Sequence, residues 1–181
     1  GDNCDKCGAT YDSKDLLEPH CVTCNKTPIY KTSKHLFFDI YKYKDKIKEW
    51  SEKCNLQKSI KSIIDNLLKE VEENYWLWDI SRDNPYFGFS IPDTTQTKDK
   101  YFYVWFDAPI GYISTLESLN KNWNEYNVTH FIGKDIIKFH TIFWIALLSA
   151  SRNYNLPTKI QVHGFLTING QKMSKSKGNY I

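Results

Sequence analysis

The sequence predicts an α/β fold, in which helices cover a parallel sheet, together with a small cysteine-rich module. Two observations predict it. Beyond Asn84, short apolar segments of strand length alternate with segments long enough for a helix. Ahead of them, residues 1–30 contain two Cys-x-x-Cys pairs and few residues that form a core. A chain of 181 residues is long enough for one domain and such a module.

Composition excludes two broad classes of protein. Hydrophobic residues make up 41% of the chain and aromatic residues 15%, which is more apolar surface than disordered segments carry. The longest apolar run, residues 139–150, includes His140 and Thr141 and is shorter than the roughly 20 residues that cross a bilayer. No membrane partner is therefore expected. The net charge of +3 is too small to require a nucleic acid.

Residues 1–30 are predicted to hold a structural metal ion. Four of the five cysteines form two Cys-x-x-Cys pairs, and each pair suits a tight turn that directs two sulfurs at one point. Four thiolates suit tetrahedral Zn²⁺. The predicted ligands are Cys4, Cys7, Cys21 and Cys24. Because such thiolate pairs are typical of a reducing compartment, we expect a cytoplasmic protein. The alternative is a set of unrelated buried cysteines.

Residues 31–100 are predicted to form a mainly helical connection back to the sheet. Within it, residues 37–78 show helical periodicity, and Ile47, Trp50 and Cys54 follow one helical face. A second stripe consists of Ile60, Ile63, Ile64, Leu67, Leu68 and Val71. Both stripes are expected to face a core, and Cys54 is expected to be a buried apolar side chain.

Residues 101–181 are predicted to contain the parallel sheet. The predicted strands are residues 101–106, 130–132 and 160–162, and the predicted helices are residues 110–120 and 135–151. Because the strands are apolar all round, we expect the sheet to be covered on both faces. Ligands bind such sheets at the carboxyl ends of the strands. The segments expected there are residues 107–111, 133–135 and 163–164.

A lysine-rich loop follows the last predicted strand. Asn169-Gly170 is a two-residue hairpin signal, and residues 172–176 read Lys-Met-Ser-Lys-Ser. Lysines among small residues can fold over a polyphosphate and stabilise charge that builds on a leaving group. The alternative is a solvated basic loop. A chance match to one chosen pentapeptide has a probability on the order of one in ten thousand, which favours the specific motif.

That pentapeptide is the signature loop of class I aminoacyl-tRNA synthetases. Three further stretches narrow the resemblance: YVWFDAPIGY at residues 103–112, FIGKDIIKFH at residues 131–140, and the cysteine pairs followed by DISRD at residues 79–83. Together they resemble the methionyl-tRNA synthetase family across essentially the whole chain. The resemblance implies the second half of a Rossmann-like class I catalytic domain, with a small zinc-knuckle insertion at residues 1–30.

The resemblance also implies a methionine pocket. Its walls would be formed by Trp105, Ala108, Pro109, Tyr112, Ile136, Phe139, His140 and Trp144. Aromatic rings suit a thioether, because sulfur gains energy against a ring edge. Arg82 would hold the substrate carboxylate through its guanidinium fork. The alternatives are an ordinary aromatic core for the wall residues, and a structural ion pair with Asp79 or Asp83 for Arg82.

The resemblance also implies a second set of residues, which would bind ATP together with Mg²⁺. Gly133 and Asp135 would contact the ribose, and His163 and Gly164 would lie beside the nucleoside. The catalytic lysines would be Lys172 and Lys175, which reach the phosphates. The implied reaction converts methionine and ATP to methionyl-adenylate and pyrophosphate, and then transfers methionine to tRNA(Met).

Two alternatives belong to other functions. One is a class I synthetase for leucine, isoleucine or valine. The other is a non-catalytic zinc-ribbon adaptor that binds nucleic acid, but residues 1–24 contain two lysines against five acidic residues, which disfavours phosphate contact.

Two further expectations follow from the resemblance. The sequence contains no His-Ile-Gly-His element, which the family carries in the first half of the nucleotide fold, and the anticodon-binding domain is also expected to lie outside this chain. The chain alone is therefore expected to be inactive. In relatives with two knuckles, Cys4 and Cys7 would share one ion with an upstream pair, and Cys21 and Cys24 would share another.

Overall fold

The computed structural model describes residues 15–21, 24–92, 97–173 and 178, with only the backbone of residues 171 and 172. The chain divides into two compact units, Gly1–Lys34 and His35–Ile181. The predicted boundary after residue 100 therefore lies inside the second unit. Among the described residues, no helix is both long and apolar enough to cross a membrane.

The described part of the first unit contains a tight turn at its cysteine pair. The amide of Cys21 donates to the carbonyl of Lys26 at 2.9 Å, and the amide of Asn25 donates to the carbonyl of Cys21 at 2.8 Å. These two hydrogen bonds close the backbone around residues 21–26. Cys21 and Cys24 are therefore carried by one turn, as the spacing predicts. The partners Cys4 and Cys7 lie outside the described residues.

The second unit begins with two helices between short strands. In order, these elements are β1 (Phe37–Asp39), α1 (Lys44–Lys53), β2 (Asn55–Leu56), α2 (Lys58–Asn74) and β3 (Leu77–Asp79). The helical prediction for residues 37–78 is confirmed in its centre and wrong at its ends. At those ends, β1 and β3 form an antiparallel pair, in which the backbone groups of each strand hydrogen-bond to the other.

The two helices form the core from the residues that periodicity predicts. Ile47 and Trp50 on α1 and Ile64 and Val71 on α2 are buried. Trp50 also donates its indole N–H to the carbonyl of Pro157 at 2.7 Å, which satisfies its polar atom inside the core. Cys54, just after α1, is buried as expected, and burial raises its thiol pKa to about 11. Ile63 is the exception in the second stripe, with 39% of its surface exposed.

The aromatic segment after residue 100 does not form the predicted strand. The elements here are β4 (Ser81–Asp83), β5 (Lys100–Phe102), α3 (Val104–Asp107) and α4 (Ile110–Ser118). The strand predicted for residues 101–106 ends at Phe102, and β5 pairs antiparallel with β4 instead of joining the parallel sheet. The chain turns into α3 because Tyr103 and Phe106 both pack against the indole of Trp78, which requires side chains on one helical face.

The remaining elements build the parallel sheet and a hairpin. They are β6 (Thr129–Gly133), α5 (Trp144–Ser151), β7 (Lys159–His163), β8 (Thr167–Ile168) and β9 (Gln171–Lys172). A 3-10 turn at Lys134–Ile136 and a π-helical segment at Phe139–Phe143 precede α5, so the helix predicted for residues 135–151 is confirmed. The hairpin is also confirmed, because Asn169 and Gly170 have φ of 51° and 78° between β8 and β9.

The parallel sheet has the strand order β2-β7-β6. Its third strand is β2, not residues 101–106; β2 has two residues, too few for a recognisable sequence pattern. His130, Ile132, Ile160 and Val162 are buried on one face. On the other face of β6, Phe131 is 74% exposed. This face of β6 is therefore open among the described residues, and cover on both faces of the sheet stays a prediction.

Adjacent isoleucines on α2 test how much the buried stripe stabilises the second unit. Ile64→Ala should lower the free energy of unfolding of the chain by about 2 to 5 kcal/mol, because it leaves a cavity in the core. Ile63→Ala changes the same atoms at an exposed position and should cost less than about 1 kcal/mol. Urea denaturation followed by circular dichroism measures both. Equal losses would mean that α2 is not packed through Ile64.

Candidate active site

An aromatic cluster joins α3, α4 and the helical segment that precedes α5. The indole of Trp105 stacks on Phe139, with centroids 4.2 Å apart, and meets the ring of His140 edge-on at 6.3 Å. The hydroxyl of Tyr112 lies 3.0 Å from Nε2 of His140. Tyr112 also meets the indole of Trp144 edge-on at 6.3 Å. Five residues that the sequence predicts for one pocket therefore lie in one cluster.

Hydrogen bonds fix the proton of His140. Its Nδ1 lies 3.1 Å from the carbonyl oxygen of Ile136, which can only accept, so Nδ1 carries the proton. Nε2 then accepts from the hydroxyl of Tyr112. Burial lowers the pKa of His140 and raises the pKa of Tyr112, so both groups are neutral at pH 7. The cluster therefore presents uncharged rings, which suit an apolar ligand.

The other predicted wall residues vary in exposure. Ala108 is exposed between α3 and α4, Pro109 is buried at the start of α4, and Ile136 is half-buried. Trp144 and His140 are 2% and 1% exposed, whereas Tyr112 is 42% exposed. The cluster thus has a buried floor and an accessible rim. A simple aromatic core would bury all of its rings.

Sequence reasoning missed two residues in this cluster, His130 on β6 and Trp123. The ring of His130 lies 4.8 Å from Tyr112 and 5.4 Å from His140, measured between centroids. Trp123 meets Trp144 edge-on at 6.2 Å. His130 could have been found from the strand pattern. Buried and exposed residues alternate along residues 129–133, and His130 shares a strand face with the buried Ile132. Trp123 has no comparable signal, because a three-residue 3-10 turn positions it.

Arg82 is on β4, next to the turn that joins β3 to β4, and its guanidinium contacts the ring of Tyr103. Its Nη1 donates to the carbonyl of Ser81 at 2.7 Å and lies 3.4 Å from Oδ2 of Asp79. Its guanidinium carbon lies 3.8 Å from the ring centroid of Tyr103, a cation–π contact. The ion pair with Asp79 that the sequence allows as an alternative is therefore present. The side chain is 29% exposed and remains accessible to a ligand.

The carboxyl ends of β6 and β7 bring together three of the residues expected at ATP. Gly133 lies opposite His163 in the parallel register. A Cβ on residue 133 would lie 2.7 Å from Oδ1 of Asp135, which is too close for any real side chain. The Asp135 carboxylate thus lies directly against the Gly133 backbone, and a larger residue at position 133 would push this carboxylate aside. His163 is exposed, and at Gly164 a Cβ would meet open space.

The remaining predicted residues are described in part or not at all. The backbone of Lys172 forms β9, while Lys175 lies outside the described residues. Cys21 is half-buried and Cys24 is exposed. Within the described ranges, no group of three or more histidine, cysteine or acidic side chains could hold a metal ion.

Comparisons with known proteins identify the fold and the family. The fold is a class I synthetase catalytic-domain fold with mixed helices and sheets. A family model described as tRNA synthetases class I (M) matches residues 1–181, and the chain belongs to this family. The zinc-bearing insertion of the sequence prediction remains a prediction.

Curated relatives match the whole chain. It is 49% identical over 192 residues to the methionine--tRNA ligase of Vesicomyosocius okutanii, covering 100% of the chain and 34% of the relative. It is 47% identical over 193 residues to the methionine--tRNA ligase of Francisella tularensis, covering 28% of that protein. The chain thus spans about a third of the length of these relatives.

Solved structures are similar as well. A crystal structure of Mycobacterium tuberculosis methionyl-tRNA synthetase bound by methionyl-adenylate is 27% identical, with a TM-score of 0.64 over 90% of the chain and 32% of that protein. A second structure of the same enzyme in complex with methionyl-adenylate is 25% identical, with a TM-score of 0.69 over 94% of the chain and 35% of that protein.

His130 makes the cluster sensitive to acid. Burial, with a smaller contribution from His140, lowers its pKa from 6.5 to about 4. The unfolded chain therefore takes up a proton first as the pH falls, so stability is full above about pH 6.5 and falls toward pH 4. Between pH 7 and pH 5 the loss from His130 should be about 2 kcal/mol. Urea unfolding at both pH values measures it.

Two variants test whether His130 causes this pH dependence of stability. His130→Gln should remove this part of the pH dependence, since glutamine does not titrate. His163→Gln, at an exposed histidine, should leave it in place. Equal pH dependence in the His130→Gln variant and the unchanged chain would contradict the assignment.

Proposed function

We propose that this chain is part of an ATP-dependent ligase that joins methionine to tRNA(Met). The methionine carboxylate attacks the α-phosphorus of ATP, the bond to pyrophosphate breaks, and methionyl-adenylate forms. A terminal hydroxyl of tRNA then attacks the acyl carbon and AMP leaves. The observation that carries the proposal is the aromatic cluster of Trp105, Tyr112, Phe139, His140 and Trp144, and the methionine--tRNA ligase names of the curated relatives support it.

The cluster suits the methionine side chain on physical grounds. A thioether is polarizable and apolar, and a sulfur about 5 Å from an aromatic ring gains about 0.3 to 1.5 kcal/mol. His140 and Tyr112 satisfy each other's polar atoms, so a ligand that enters need not supply a hydrogen bond to them. Ala108, Pro109 and Ile136 would complete the wall. A charged or strongly polar side chain would lose hydration there without compensation.

Arg82 would hold the substrate carboxylate. A guanidinium has five N–H donors in a planar fork, and the contacts with Ser81 and Asp79 both use Nη1. The cation–π contact with Tyr103 restrains the position of the guanidinium. A carboxylate held in this way is oriented for attack on phosphorus, which lowers the entropic part of the barrier.

The other substrate would lie at the carboxyl ends of β6 and β7. Asp135, pressed against Gly133, can accept hydrogen bonds from ribose hydroxyls, and His163 and Gly164 would lie beside the nucleoside. Lys172 and Lys175, with Mg²⁺, would neutralise the negative charge that grows on the pyrophosphate as it leaves. This role concerns the transition state, because that charge is largest there.

Zinc would stabilise the cysteine-rich module. The turn at residues 21–26 carries two thiols, and Cys-x-x-Cys on one turn provides two of four tetrahedral ligands. Cys4 and Cys7 would complete the site, or each pair would join another pair in the intact protein. A bound zinc would supply folding energy rather than chemistry. Reduced thiols of this kind favour a cytoplasmic location.

Substrate preference tests the proposed function. The intact protein should catalyse exchange of pyrophosphate into ATP with methionine, and should prefer methionine to leucine, isoleucine or valine by about 100-fold or more in kcat/KM. Trp105→Ala should reduce kcat/KM for methionine by more than about tenfold, because it removes a wall ring. Trp105→Phe keeps an aromatic ring at this position, is the matched control and should reduce kcat/KM less than Trp105→Ala.

The alternatives predict different results. A synthetase for another apolar amino acid would prefer leucine, isoleucine or valine. A nucleic-acid adaptor would activate no amino acid. Either result would overturn the proposed function.

Zinc content tests the metal site. Cys24→Ser in the intact protein should lower the bound zinc and weaken the thiolate-to-cobalt absorption of the cobalt-substituted protein. Cys54→Ala removes a buried thiol with a pKa of about 11 and should leave both signals unchanged. Full zinc occupancy in the Cys24→Ser variant would exclude Cys24 as a ligand.

A further inference from the structure

A histidine that precedes β1 contacts the same groups that hold Arg82. We propose that this residue, His35, is a positioning residue: it holds Asp79 and the Ser81 carbonyl so that Arg82 can grip a carboxylate. The inference rests on the proposed function of Arg82. His35 itself need not touch the substrate.

The geometry of His35 is specific. Its Nδ1 lies 2.9 Å from Oγ of Ser81, 3.2 Å from the carbonyl oxygen of Ser81 and 3.3 Å from Oδ2 of Asp79. Its Nε2 lies 3.6 Å from Oδ2 of Asp83. Asp83 also forms an ion pair with Lys100, whose side chain is 10% exposed. The imidazole thus faces two carboxylates and a turn of backbone, with 23% of its side chain exposed.

Two of these acceptors are shared with Arg82. The Ser81 carbonyl lies 2.7 Å from Nη1 of Arg82, and Oδ2 of Asp79 lies 3.4 Å from the same nitrogen. Each acceptor oxygen has two lone pairs, so one can face the imidazole while the other faces the guanidinium. His35 and Arg82 therefore hold the same carbonyl and the same carboxylate.

Hydrogen bonds that do not involve His35 or Arg82 fix the backbone between Asp79 and Ser81. Ser81 is fully buried, its Oγ accepts from the amide of Leu36 at 2.9 Å, and its own amide donates to Oδ1 of Asp79 at 3.0 Å. The amide of Ile80 donates to the carbonyl of Leu36 at 3.0 Å. These contacts fix Oδ1 of Asp79 and the backbone. The orientation of Oδ2 is then set by the two side chains that contact it, His35 and Arg82.

The consequence concerns how firmly Asp79 binds Arg82. Once Oδ2 of Asp79 has lost the imidazole, that oxygen can turn fully toward the guanidinium and accept from two of its N–H groups. Asp79 bound in that way would compete with the carboxylate of a substrate for the guanidinium of Arg82. His35 keeps the Asp79 contact on one nitrogen, which favours binding of a second carboxylate by Arg82.

Methionine and methioninol distinguish this role from a general structural one. Methioninol carries the same side chain but an alcohol in place of the carboxylate. In the intact enzyme, His35→Ala should weaken methionine binding by about tenfold and methioninol binding by less than about twofold. His35→Asn should restore methionine binding, because the asparagine amide nitrogen occupies the position of Nδ1. His35→Gln, whose amide reaches toward Asp83, should restore it less.

Controls separate the possible failures. Lys44→Ala removes a partner of Glu72 on the surface and should change the affinity of neither ligand. Arg82→Ala should weaken methionine binding selectively and more strongly than His35→Ala, and adding His35→Ala to it should have little further effect. Equilibrium binding by titration calorimetry measures all of these constants. If His35→Ala does not fold, the comparison of His35→Asn with His35→Gln carries the same test.

The outcomes are distinct. If Arg82→Ala does not discriminate between the two ligands, the carboxylate role of Arg82 is wrong. If Arg82→Ala discriminates but His35→Ala does not, or weakens both ligands equally, the positioning role of His35 is wrong. Selective loss in both variants, with rescue by His35→Asn, supports the inference.

Discussion

The second unit depends on burial of one helical segment, residues 139–151, on two sides. Phe143 and Ile145 pack into the core that α1, α2 and the sheet share, while Trp144 and Leu148 pack against Ile113 and Trp123 in a second core. A helix that is apolar all round can be stable only between two such layers. Three residues of the candidate pocket, Phe139, His140 and Trp144, are therefore part of the helical segment that joins both cores, and they cannot shift without disturbing the packing.

The π-helical turn at Phe139–Phe143 follows from this double burial. A π turn widens the helix by one residue and changes which side chains share a face. It lets Phe139 stack on Trp105 and Phe143 stack on Trp78, while His140 turns toward Tyr112. A regular helix would keep all of these residues at their 3.6-residue spacing. The pocket and the core thus use neighbouring residues of the same turn for different contacts.

The sequence predicts those parts of the molecule that depend on local pattern. The stripes of α1 and α2, the strands β6 and β7 and the hairpin turn at Asn169 follow from spacing and turn chemistry. The strand expected at residues 101–106 failed because an aromatic run suits either structure, and packing against Trp78 decides between them. β2 was missed because two residues carry no period. The resemblance supplied the pocket residues, whereas the environment of Arg82 depends on contacts between segments 46 residues apart in sequence.

The two halves of the candidate site are built by different means. The aromatic cluster relies on shape and on removal of charge, since burial keeps His130 and His140 neutral. The corner that holds Arg82 instead keeps its charges, which are shared among several partners and partly exposed to solvent. Such a division suits a substrate with an apolar side chain at one end and a carboxylate at the other. Each end of such a substrate would meet the environment that costs it least hydration. Tyr103 and Trp78 connect the two parts of the site through ring contacts.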